Sequence, residues 1–277
     1  MKNAVSQNAL SFNGIIDLMD RIPTDEAALE YFKDIRWAGH VVCPHCDCEK
    51  VYERKSGKGY KCAGCKVQFT AKSGTIFADT KVGMRKWIMA MYLLTSNKKG
   101  LSSHDLSRRV KVTQKTAWTM LAKIQTAFVN GGFDYKATDT VEIDETYVGG
   151  KEKNKHWDKR TPGTEGRSTK KKTAVFGMKS REQGVYAVVV PNAKAVTILP
   201  IIEANVENSA SVMTDEFTAY SPLARKYDHR MVDHGKGIFA CDENNDTTVN
   251  GMENYWSHFK RMFHGTHHWL SRKHMDK

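Results

Sequence analysis

Two sets of residues in this chain have the types and spacing to do chemistry. Cys43-Pro-His-Cys46 and Cys62-Ala-Gly-Cys65 form two C-x2-C pairs with fifteen residues between them. Two thiolate pairs on tight turns can close a tetrahedral Zn²⁺ site, and this spacing lies within the range of zinc-binding modules. His45 and Cys48 are spare donors; Cys48 in place of Cys46 would break the symmetry of the two turns. The second set is made of carboxylates. Asp144 lies in Val141-Glu-Ile-Asp-Glu-Thr-Tyr-Val-Gly-Gly150, a strand-like run in which a buried acid is costly unless paired or holding a metal. Asp215 follows the short strand pattern Ser211–Thr214, and Glu253 lies in the helical pattern Thr248–His264. Three carboxylates from separate elements, meeting at a sheet edge, suit Mg²⁺ (or Mn²⁺), which takes hard oxygen ligands and leaves positions for phosphate and water. Two such ions roughly 4 Å apart can stabilise both oxygens of an in-line displacement. Spacing alone does not single out these three acids from their neighbours. Two-residue alternation puts Glu142 and Asp144 on one strand face and Glu145 on the other, where a salt bridge or cap is expected.

The elements around these residues form a soluble, basic protein. Lys and Arg number 43 against 31 Asp and Glu, giving a formal charge of +12 over 277 residues. That balance favours a polyanionic partner. The longest apolar run, Trp87–Leu94, is far below the ~20 residues of a spanning helix, so no membrane role is expected. The N-terminus has no apolar stretch of the secretory kind. Five of the six cysteines lie between Cys43 and Cys65, which argues for metal rather than disulfides and for a reducing, cytoplasmic setting.

Ahead of the cysteines, Ser11–Asp20 and Glu26–Trp37 read as helices, the second capped by Thr24 or Asp25. Val51-Tyr52, Tyr60 and Gln68-Phe69-Thr70 suit the short strands of a zinc ribbon. Lys81–Ser96 reads as a helix ended by Asn97-Lys-Lys-Gly100. His104–Val110, a break at Lys111-Val112, and Gln114–Phe128 behind a Thr113 cap fit a helix-turn-helix. Arg108, Arg109, Lys111, Gln114 and Lys115 cluster at that turn and are candidates for DNA contact. Asn130-Gly-Gly132 marks a domain break. Beyond it come strand patterns at Thr140–Val148, Thr173–Met178 and Gly184–Val190, a helix at Ala193–Val206, and the two carboxylate-bearing elements. This order makes an α/β layer domain. The basic loop from Lys151 to Lys172, with Lys151, Lys153 and Lys155 near its start, is suited to phosphate contact. The organisation is therefore N-terminal helices over 1–40, a zinc ribbon over 41–72, a helical DNA-binding region over 73–130, and an α/β domain over 136–277.

Glu142-Ile-Asp-Glu-Thr-Tyr-Val-Gly-Gly-Lys-Glu-Lys-Asn-Lys-His156 resembles the opening of the catalytic domain of the ISXO2-like transposases, insertion-sequence enzymes of the DDE class. The likeness continues through Lys172-Thr-Ala-Val-Phe-Gly-Met178, Thr214-Asp-Glu-Phe-Thr-Ala-Tyr220, His234 and Val249-Asn-Gly-Met-Glu-Asn-Tyr-Trp-Ser-His-Phe-Lys260. The cysteine module, Gly74-Thr-Ile-Phe77 and Trp87 resemble the N-terminal half of the same family. The resemblance implies an RNase H-like fold, Mg²⁺ dependence, and DNA cleavage followed by strand transfer. It implies that Asp144, Asp215 and Glu253 are metal ligands, with Asn250 or Asn254 as rivals for the third place. Lys260, two helical turns beyond Glu253, would contact phosphate. It further implies recognition of terminal inverted repeats and target DNA as a homodimer, close to the nucleoid. Relatives continue past Gly265-Thr-His-His into a further helix, so the expectation is a catalytic domain shortened at its C-terminus.

Three readings follow from these residues. A transposase would cut and join. A DNA-binding regulator, or an inactive remnant, would only bind. A general nuclease would cut without preference for element ends. His156, His234, Trp256 and Trp269 read as ordinary loop and core residues.

Overall fold

The computed structural model describes residues 12–268 and 275, apart from 56, 58, 129–134, 151–153, 163–168, 170–171 and 233–247. Two compact units divide the chain, Met1–Phe128 and Val129–Lys277. The expected break at Asn130-Gly-Gly132 and the residues Lys151, Lys153, His234 and Trp269 lie outside the described residues.

The first unit begins with α1 (Ile15–Arg21) and α2 (Asp25–Trp37). Thr24 caps α2, its hydroxyl accepting the Ala27 N–H at 3.2 Å. A three-stranded antiparallel sheet follows, in the order β1 (Val51–Glu53), β2 (Tyr60–Cys62), β3 (Gln68–Phe69). Trp37 at the end of α2 packs edge-on against Tyr60 and Phe69, so this small sheet shares an apolar cluster with the helix before it.

Three helices complete the unit: α3 (Met84–Ser96), α4 (Ser103–Val110) and α5 (Gln114–Phe128). Trp87, Ile88, Leu106, Val110, Ala117, Met120, Leu121 and Ile124 meet in one core with Leu18 and Ile22 of the first helix and its C-terminal edge. Ser102 caps α4 by accepting the Asp105 N–H, and Lys111 ends it in the left-handed conformation at φ 52. The helix expected from Lys81 starts at Met84. Gly83 offers no capping side chain, and the cap comes from elsewhere: Asp25 of α2 accepts the Arg85 N–H at 3.0 Å.

The second unit is built on a five-stranded sheet. Its strands are β4 (Val141–Val148), β5 (Thr173–Ser180), β6 (Gly184–Val190), β7 (Ser211–Thr214) and β8 (Asp228–Met231), in the spatial order β6-β5-β4-β7-β8. The first three form an antiparallel meander. β7 and β8 add in parallel on the other side of β4. α6 (Ala195–Asn205) makes the crossover between the two halves. Alternation sorts the faces of β4. Val141 and Ile143 join Ile198, Ile202 and Tyr220 in the core on one side. On the other side lies α7 (Asn250–Met262), whose Met252 and Trp256 cluster with Val148 and Val175. Gly177, paired with Asp144, permits that packing: a Cβ there would stand 2.6 Å from Trp256. No helix among the described residues is long and apolar enough to cross a membrane.

Candidate active site and metal centre

The zinc ribbon's four cysteines come together as their spacing requires. The turn at Cys43–Cys46 precedes β1, and Cys62 and Cys65 lie at the end of β2 and in the turn after it. All four sulfurs lie within 4.8 Å of one another. Cys43 Sγ is 3.7 Å from Cys65 Sγ, and Cys46 Sγ is 3.6 Å from Cys62 Sγ. Thiolates bound to Zn²⁺ at ~2.3 Å on a tetrahedron stand about 3.8 Å apart, so the cage is of zinc size. Burial works against the Cys62 thiolate, but the Cys65 and Gly64 N–H groups and the Cys46 thiol donate to it. They bring its pKa down to about 6. A Val67 N–H favours the Cys65 thiolate, but burial and the neighbouring sulfurs outweigh it and push it up to about 12. Cys48 stays outside the cage, its thiol directed to the Lys50 carbonyl at 3.8 Å.

In the second unit, Asp144 is half-buried in the middle of β4, and Asp215 directly follows β7. β4 and β7 pair in parallel, Val141 with Val212 and Glu142 with Met213. Continuing that register past Glu142 by two residues brings Asp215 level with Asp144. Glu253 sits in the first turn of α7 and is exposed. The three acids are electrostatic neighbours. Burial pushes the Asp144 carboxyl up to about 7, with further upward pressure from Glu145, Asp215 and Glu253; only the Glu145 N–H, donating at 2.8 Å, works the other way. Among the described residues the cysteine cage is the one group of donors as tight as 4.8 Å, so the carboxylates form a looser arrangement. Lys260 lies exposed on the same helix, seven residues beyond Glu253.

Two neighbouring acids have partners that the sequence did not disclose. Glu142 is buried at 6% exposure and accepts the Met252 N–H of α7 at 2.7 Å. Glu145, on the opposite face as alternation requires, accepts a 2.7 Å hydrogen bond from the buried Tyr220 hydroxyl. Its partner is thus a phenol rather than a cation or a helix end. Burial raises the Glu145 carboxyl, the Tyr220 bond lowers it, and Asp215 raises it again. The face assignment of Glu142 was legible from alternation. Tyr220 carried no signal beyond its place in the motif after Asp215.

The polar and basic residues at the α4–α5 turn, Arg108, Arg109, Lys111, Gln114 and Lys115, are all exposed. Asp105 pairs with Arg109 at 3.0 Å and with Arg108 at 3.8 Å, and Gln114 donates to the Ser103 hydroxyl. Trp118, one turn further along α5, is 47% exposed. Lys155 is half-buried, and its carbonyl accepts from Arg160. His156 pairs with Asp158 in its own loop, and Trp256 is a core residue.

Over residues 136–277 the chain matches the model of the ISXO2-like transposase domain, and over residues 23–68 that of a transposase zinc-ribbon domain. An uncharacterized protein in transposable element ISH50 of Halobacterium salinarum is 29% identical over 260 residues, 90% of this chain and 84% of that protein. An uncharacterized transposase-like protein of Haemophilus influenzae is 40% identical over 78 residues, 28% of this chain and 60% of that protein.

Proposed function

The chain belongs to the ISXO2-like transposase family, and on that premise we propose that it cuts DNA at the ends of an insertion sequence and joins them to target DNA. The observation that supports this reading is the parallel register that sets Asp215 level with Asp144, with the helix bearing Glu253 packed on Asp144's face of the sheet, inside the family's domain. An RNase H-like description of that domain is supported by its strand order, three antiparallel strands followed by two parallel additions across the first.

The donor set fits a divalent cation. Three hard oxygen donors arrive from three elements, and burial of Asp144 together with repulsion from the neighbouring carboxylates is a penalty that a bound cation would relieve. Asp144, Asp215 and Glu253 would hold Mg²⁺ or Mn²⁺, which when bound activates the attacking oxygen and stabilises the leaving one. Asn250 and Asn254, both exposed at the start of the same helix, are the rivals to Glu253. The chain's own residues do the rest. Asp144, in the middle of β4, and Asp215, just past β7, fix where the phosphodiester is held through their level places on adjoining strands. Lys260 binds a phosphate beside it. Water attacks the phosphodiester at the element end and frees a 3′-hydroxyl, which then attacks target DNA. The zinc ribbon and a helix-turn-helix formed by α4 and α5 recognise the terminal inverted repeats, with Arg108, Arg109, Lys111, Gln114 and Lys115 on the DNA side. Lys151, Lys153 and Lys155 add phosphate contacts. Two copies, working in the cytoplasm at the nucleoid, hold the two ends together.

A strand-transfer assay with the element's own end DNA tests this. Asp144→Ala and Asp215→Ala should abolish Mg²⁺-dependent cleavage and leave DNA binding in place. Binding without cleavage by the unmodified protein would favour a regulator, and cleavage without preference for end sequences a general nuclease.

A further inference from the structure

The cleavage reading leaves two acids of β4 unused. Glu142 lies two residues before Asp144, and Glu145 directly after it. Each reaches an element that carries another of the proposed ligands.

Glu142 reaches α7. Val249, at the helix cap position, offers no capping side chain, so the first-turn N–H groups need partners from elsewhere. Thr248 takes the Asn250 N–H at 2.8 Å, and Glu142 takes that of Met252 at 2.7 Å across 110 positions of sequence. A buried carboxylate accepting from a helix N-terminus makes a strong, short bond. The next residue along that turn is Glu253. Gly251 rests against Lys179 Nζ and the same acid: a Cβ there would meet the Lys179 ammonium first and stand 2.7 and 2.8 Å from the two Glu142 oxygens. The helix backbone thus sits as close to the acid as a residue without a side chain allows.

Glu145 reaches the segment after β7. Asp215 accepts the Phe217 N–H at 3.1 Å, and the Phe217 carbonyl accepts that of Tyr220 at 3.0 Å. Tyr220 opens the turn Thr218–Arg225 into the core, is fully buried, and gives its hydroxyl to Glu145. A continuous chain of bonds therefore runs from Asp215 through Phe217 and Tyr220 to the residue beside Asp144.

We propose that Glu142 and Glu145 are positioning residues: β4 carries one ligand and holds the elements bearing the other two, α7 through Glu142 and the post-β7 turn through Glu145 and Tyr220. This rests on the assignment of Asp144, Asp215 and Glu253 as the cleavage site. Partners of this kind, one step behind the ligands, set metal affinity by about 10- to 100-fold.

Three variants of the full chain test it. Glu142→Asp keeps the charge and withdraws the acceptor. Glu142→Gln keeps the acceptor and removes the charge. Tyr220→Phe removes one hydroxyl and keeps the ring. The readouts are the Mn²⁺ concentration for half-maximal cleavage, the rate at saturating Mn²⁺, and backbone hydrogen exchange. Glu142→Asp and Tyr220→Phe should raise the Mn²⁺ requirement about 10- to 100-fold with saturated rates near the original. Glu142→Gln should stay close to the original in both. Exchange should quicken over Asn250–Met262 in Glu142→Asp and over Thr218–Arg225 in Tyr220→Phe. An unchanged Mn²⁺ requirement in Glu142→Asp and Tyr220→Phe overturns the proposal. So does a Glu142→Gln more damaging than Glu142→Asp, since that makes Glu142 a ligand. If the original protein shows no Mn²⁺-dependent cleavage, the cleavage reading fails by itself. Exchange then decides the positioning: unchanged exchange in both variants overturns it, and the expected local quickening supports it.

Discussion

Replacing Asp144 with Asn should stabilise the second unit above neutral pH in buffer without Mg²⁺, while removing one of the proposed metal ligands. The carboxyl's ordinary value of 3.8 is pushed up to about 7, first by burial and then by Glu145, Asp215 and Glu253. At ~1.4 kcal/mol for each tenfold change in acidity, ionising Asp144 costs the metal-free fold at most about 4 kcal/mol at pH 8. The side chain is only half-buried, so solvent screening leaves about 1–2 kcal/mol of that. The sign follows from linkage. A folded-state pKa above the unfolded one gives a contribution that is complete below about pH 4 and lost as pH rises through about 7. Asn imitates the neutral carboxyl and can still accept the Glu145 N–H. The variant should therefore match the original protein below about pH 4 and melt roughly 3–6 °C higher at pH 8. Added Mg²⁺ should raise the melting temperature of the original protein and leave that of the variant unchanged. Calorimetry across pH 3.5–8.5 reads both. A variant that melts lower at pH 8, or higher by the same amount at every pH, refutes the electrostatic account of this site.

Three further outcomes are expected. Stripping zinc with a strong chelator should unfold the ribbon, since the metal supplies much of the folding energy of so small a module; circular dichroism and a zinc-release dye measure it, and intact strands β1–β3 after complete removal would contradict it. Gly177→Val should cost about 1–3 kcal/mol by driving Trp256 and Met252 off the sheet, read as a lowered denaturation midpoint of the second unit. Lys115→Ala should weaken DNA binding evenly across sequences and reduce the slope of log affinity against log salt by about one, whereas a loss confined to one sequence would make Lys115 a base reader.

How legible these features were depended on how local their causes are. The α4–α5 hairpin is readable almost to the residue because the Lys111-Val112 break and the Thr113 cap are local signals. The cysteine cage was readable because x2 spacing is itself a turn geometry. α3 starts three residues beyond the point its sequence pattern suggests, because its capping group, Asp25, comes from another helix. The faces of β4 followed from alternation, but the partners did not. Glu145 was expected in a salt bridge or cap, and its phenolic donor lies 75 positions away. Glu142 had a face and no role, because its donor is a backbone N–H, which leaves no trace in side-chain chemistry. The grouping of Asp144 with Asp215 and Glu253 came from resemblance, since parallel register between distant strands is set by the whole sheet.

The most direct test of the central claim is cleavage of element-end DNA by the purified chain with Mg²⁺ or Mn²⁺, set beside its Asp215→Asn variant. The account predicts metal-dependent cutting that exposes a 3′-hydroxyl at the element end, absent in a variant that still folds and binds the same DNA. Cutting of equal rate by the variant, or cutting that persists without divalent metal, would contradict it.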